Sequence, residues 1–300
     1  MNDGLEASRK RTWTVVLLLF AGLSSAKCGA STANRPPPGG TARVADVDDE
    51  TDGLIEHHRY HHHGGLTLLI AMSLDTLGVS PDQRASVDRI RGELQAGMEP
   101  ARSAEQQLMT VLADGLAADK LDADKLDAAV AQVADAAAKV YDACVLPLNE
   151  LHAVLTQVER SALADKVEAH WAVWRKSNGD QGDLANSEAA RLATLTVHLG
   201  LAKEQVDRIR TRLAEGHASP FDTQEATAHL RAFGDAFRSE KFDARTLATA
   251  HVADSQLAGW GAARMARFVE AAGPVLTPDQ RSDFAQRLYA HADHDQGGRP

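Results

Sequence analysis

Residues 155–170, LTQVERSALADKVEAH, return 121 places later as LTPDQRSDFAQRLYAH over 276–291. Leu155, Thr156, Arg160, Ser161, Ala164 and His170 fall on Leu276, Thr277, Arg281, Ser282, Ala285 and His291. The same offset pairs Lys120, Asp122, Ala123 and Leu126 with Lys241, Asp243, Ala244 and Leu247. An offset of 122 pairs Leu77, Gly78 and Gln83 with Leu199, Gly200 and Gln205. A chain that echoes itself at this period builds one structural unit twice.

The unit is helical. Leu126, Val130, Val133, Ala137, Val140, Cys144, Leu148, Leu151 and Leu155 recur at spacings of three and four, which predicts one long helix bent at Pro147. No run alternates apolar and polar residues at period two, and aromatic content is only 5%. Pro100 and Pro220 are expected between helices. Each unit therefore reads as a short helix, a helical hairpin and a closing helix. The fold class expected is all-α, with two tandem hairpin units packed as an intramolecular pseudo-dimer.

The first 26 residues stand apart. Arg9, Lys10 and Arg11 precede an apolar run from Trp13 to Leu23, and Ser24 to Ala26 supply small residues for cleavage, the pattern of a secretory signal. The run is too short to span a bilayer, which needs about 20 apolar residues. Residues 27–63 are rich in Pro, Gly, Thr and Asp and read as a disordered tether ending in a histidine cluster. Unit 1 is expected over 64–176, a linker over 177–188 and unit 2 over 189–294. Cys28 raises lipidation as a second route to the envelope, but Lys27 occupies the position where a small residue is usual, so ordinary cleavage is preferred. Cys144, on the apolar stripe, reads as a small buried hydrophobe. The net charge of −10 disfavours nucleic acid and anionic membrane surfaces as partners.

Ser80-Pro81-Asp82-Gln83 and Thr277-Pro278-Asp279-Gln280 are helix starts. The hydroxyl caps free backbone donors, proline is preorganised at the first helical position, and the glutamine three residues on reaches back to the cap. Thr156, Arg160, Gln205 and Arg281 belong to the same motifs in the other segments. With HHRYHHHGG (57–65), LGVSPDQR (77–84), VLTQVER (154–160), LGLAKEQ (199–205) and VLTPDQR (275–281), the chain resembles the Spy/CpxP family of periplasmic LTxxQ-motif proteins. That resemblance implies a cradle of antiparallel helical hairpins in an envelope stress protein. It implies an ATP-independent chaperone for unfolded or misassembled envelope proteins, or a partner of a membrane-bound stress sensor. Relatives in zinc resistance and nickel–cobalt sensing imply heavy-metal handling as the alternative. Family members are usually single units that dimerise, whereas this chain holds two. Whether it pairs further is open.

Three sets of residues are candidates. Arg84, Arg89, Arg91, Arg208, Arg210 and Arg212 would attract acidic segments of unfolded clients, although a solvated helix face is the plainer reading. His57, His58, His61, His62 and His63 would hold Zn²⁺, Ni²⁺ or Cu²⁺ if helical, since histidines four apart share a face. The plainer reading there is a polar tail, and no cofactor is required. His170 and His291 are expected near helix C-termini, where their charge suits the negative end. His152, His198, His217, His229 and His251 are expected at the surface, and the tryptophans Trp171, Trp174 and Trp260 in the core. No G-x-S-x-G, reactive cysteine or closed metal motif is present, so an enzyme is not expected.

Overall fold

The computed structural model describes residues 65–178, 183–216, 221–247 and 250–294. The leader, the tether, Cys28, the cluster His57–His63, His217 and Pro220 lie outside the described residues. Among the described residues the protein is all-helical, without a strand. No described helix is long and apolar enough to cross a membrane.

Helix α1 (Gly65–Asp75) is apolar on nearly every side, with Leu66, Leu69, Ile70 and Leu74 buried, and so becomes a central core helix. Helix α2 (Pro81–Ala117) starts at the Ser80 cap and runs for 37 residues. Pro100 lies inside it rather than between helices. The exposed ring forfeits one backbone bond, but Met98, Ala101, Ala104 and Leu108 are buried on the opposite side and carry the helix through.

The stripe over 126–155 forms two helices, α3 (Ala123–Ala137) and α4 (Val140–Val154). The break falls at Ala138–Lys139, not at Pro147, which is buried within α4. Asp122 caps α3 by accepting from the Lys125 amide at 3.2 Å. Helix α5 (Gln157–Asn178) and helix α6 (Asp183–Leu199) follow, so the stretch read as a linker is helical at both ends. Gly200, at φ 60, turns the chain into α7 (Lys203–Glu215). Asp222 then caps α8 (Thr223–Arg238) through the Gln224 amide at 2.9 Å. Helices α9 (Ala250–Ala272) and α10 (Pro278–His294) complete the described chain, each preceded by a 3₁₀ turn, at Ala244–Thr246 and Gly273–Val275.

Packing joins segments far apart in sequence. Helix α2 is flanked by α3, α4 and α10; α9 lies along α3; α5 lies along α8. Leu94, Leu112, Cys144, Leu148, Leu163, Phe233, Phe237 and Val269 belong to one continuous core. Fully burying one such Leu or Phe stabilises by about 1.5–3 kcal/mol. Trp171 stacks on Trp174 at 4.8 Å, and Trp174 meets Trp260 edge-on at 5.7 Å, tying α5 to α9.

Candidate functional site

The motif glutamines form two clasps. At the start of α2, the Gln83 carboxamide oxygen accepts from the Ser80 amide at 3.0 Å and its hydroxyl at 2.8 Å. Its nitrogen donates across to the Val154 carbonyl at 2.9 Å and to Glu159 Oε2 at 2.8 Å. All four hydrogen-bonding positions of the carboxamide are used. Glu159 Oε2 also accepts from the Thr156 amide and hydroxyl, both at 2.8 Å. Burial pushes the Glu159 carboxyl up, but these donors more than offset it and hold it below the usual carboxylate range.

The second clasp uses the positions one repeat later. Gln205 Nε2 donates to the Val275 carbonyl at 3.1 Å and to Gln280 Oε1 at 2.8 Å. Gln280 Nε2 returns a bond to Gln205 Oε1 at 3.3 Å and reaches the Leu199 carbonyl at 3.3 Å. The Ala202 and Thr277 amides donate to the two side-chain oxygens, each at 3.0 Å. The motifs thus close the entry of α2 on the α4–α5 junction, and the entry of α7 on the α9–α10 junction.

Motif arginines buttress these junctions. Arg281 pairs with Asp119 at 2.9 Å and donates to the Leu276 carbonyl at 2.8 Å. Arg160 lies 2.8 Å from His152 Nε2, which is also 2.9 Å from the Ser239 carbonyl oxygen. The His152 ring is buried, stacked on Phe242 and edge-on to Phe237. Burial pushes its pKa below the ordinary imidazole value; the Ser239 carbonyl opposes this and Arg160 reinforces it. His152 and His229 are therefore core residues, not surface ones. His152 lies four residues after Leu148 and His229 four before Phe233, a spacing that puts both on the apolar stripes. His170 is buried too and sits well before the end of α5 at Asn178, so no helix terminus explains its place.

The six arginines lie in the N-terminal part of α2 and along α7, with Arg212 in the last turn of α7. Arg89 pairs with Glu93 and Glu150, Arg91 with Asp75, and Arg210 with Asp207 at 2.9 Å. Arg84, Arg208 and Arg212 are exposed. Cys144 is buried, its thiol pushed up to about 12 by burial and then by Asp254, which keeps it an inert apolar filler. Among the described residues no group of three or more His, Cys, Asp or Glu side chains would hold a metal.

Two surface features carry recognition potential. Leu146, Val158 and Val197 expose 68%, 77% and 80% of their surface. A groove of about 320 Å³ opens between α2, α6, α9 and α10, floored by Met109, Leu195, Phe268, Phe284 and Leu288. Arg191, His198, Arg287 and His291 line its edges. Nothing local in the sequence announces this groove, because its walls come from helices far apart along the chain. In comparisons with known proteins, no family model, no curated protein and no solved structure matches the chain.

Proposed function

We propose that the protein is a Spy/CpxP-like periplasmic stress protein that holds unfolded or misassembled envelope proteins on its helical surface without nucleotide. The observation that carries this reading is the paired clasp. Gln83 and Gln205 make the same cross-helix bonds at positions one repeat apart, so the LTxxQ-type motifs act as one structural device used twice. The tandem units would pack as an intramolecular pseudo-dimer. Support comes from the exchange of closing helices: α10 lies on α2, while α5 lies on α8. Two hairpins locked at both junctions would keep a rigid surface from which Leu146, Val158 and Val197 offer apolar anchors to a client.

The test is aggregation of a chemically denatured model protein diluted into buffer, followed by light scattering. At equimolar ratio the purified chain slows aggregation without ATP, and changing Leu146, Val158 and Val197 together to Asp weakens that effect. Unchanged aggregation in the presence of the wild-type chain would refute the reading.

A further inference from the structure

We propose that the groove between α2, α6, α9 and α10 is a binding site for a single medium-chain carboxylate, its alkyl tail on the apolar floor and its head group at Arg287 and His198. This goes beyond the holdase reading and does not depend on it.

The repeat supplies an internal control. Counting back along the chain, Phe284 and Leu288 correspond to Leu163 and Val167, while His198 and Arg287 correspond to Thr76 and Lys166. In the first half Leu163 and Val167 are buried in solid core, and Lys166 Nζ donates to Thr76 Oγ1 at 3.0 Å across the edge. In the second half the corresponding positions surround a hollow of about 320 Å³. Equivalent helices therefore pack solidly once and leave a space once. The edge pair also changes, from ammonium and hydroxyl to guanidinium and imidazole.

The chemistry of the lining selects the ligand. Floor residues are apolar or aromatic, which suits an alkyl chain. Among the described residues no carboxylate lines the groove, although acidic residues outnumber Lys and Arg by 42 to 32 in the chain. Arg191, at the same edge, also acts on Arg264, whose pKa is lowered to about 9 by burial first and then by Arg191 and Arg267, against Glu188. An anion is the favoured head group in that field, and a guanidinium at the edge would take a carboxylate. The volume lies at the small end for ligand sites, room for one chain rather than several peptide side chains.

Calorimetric titration of the full chain with octanoate, decanoate and dodecanoate, each below its micellar concentration, tests the assignment. Binding is expected at one site, about fourfold tighter per added methylene until the groove is filled. Decyltrimethylammonium is expected to bind at least tenfold more weakly than decanoate. Arg287→Gln weakens decanoate about tenfold while leaving decyl maltoside unchanged. Thr194→Trp, at an exposed position lining the groove, abolishes binding without altering thermal unfolding. Equal binding of cationic and anionic tails would overturn the proposal. So would binding that survives Thr194→Trp, or binding of anionic phospholipid vesicles with none of the free carboxylates.

Discussion

Asp254 accepts the Leu66 amide at 2.7 Å from deep inside the core, at the very start of α1. Gly65 turns into α1 at φ 52, and a Cβ there would collide with the Asp254 carboxyl, so the two residues fix each other's place. Burial pushes the Asp254 pKa up to about 8, with the Leu66 amide opposing, and the folded protein therefore carries this group protonated at neutral pH. A raised acid favours folding fully below its unfolded pKa, about 3.9, and that contribution is lost as pH rises through the folded value. The wild type should lose stability between pH 4 and 8, at up to about 1.4 kcal/mol per pH unit. Asp254→Asn should flatten that limb in urea titrations taken across the range. Glu159 has the opposite sign. Its lowered pKa gives stability that is present above the ordinary glutamate value, about 4.3, and lost as pH falls through the folded one. Glu159→Gln recreates the amide pair seen at Gln205–Gln280, and should soften acid unfolding below pH 4 in circular-dichroism melts.

Helix α2 spans its 37 residues with a proline inside, and this decides an element-scale prediction. Pro100 is exposed and lacks the amide that would bond one turn back. Replacing it with Ala should stabilise the protein by about 1–3 kcal/mol in chemical denaturation, since the missing bond is restored and an exposed ring gives up little packing. Element type was legible along this chain because the apolar spacing is strong. Element ends were less so, wherever tertiary contact outweighed a local signal. Pro100 marks no boundary because Met98 and Ala101 are held in the core, and Pro147 leaves α4 whole because it is itself buried there with Cys144, Leu148 and Leu151. The glutamine motifs were legible as helix starts. Their second role was hidden, because the bonds from Gln83 to Val154 and Glu159 span more than 70 residues. The groove was hidden for the same reason, and the buried His152 because an imidazole between two phenyl rings looks polar only in sequence.

At the scale of the molecule, the core runs without interruption from α1 to α10. Helix α5 rests on α8 and α10 on α2, so helices from early and late in the described chain cover one another's apolar surface. Unfolding should accordingly be a single transition, with far-ultraviolet dichroism and fluorescence coinciding in urea. A fragment ending at Asn178 should not fold by itself; a cooperative melt from that fragment would contradict the interlocked packing. The three indoles Trp171, Trp174 and Trp260 sit against one another where α5 meets α9, and the only other tryptophan in the chain is Trp13. A chain cleaved after Ala26 would thus take all its tryptophan emission from the seam between its two halves. Any event that pries those halves apart would report itself as a change in colour and brightness, with no label attached.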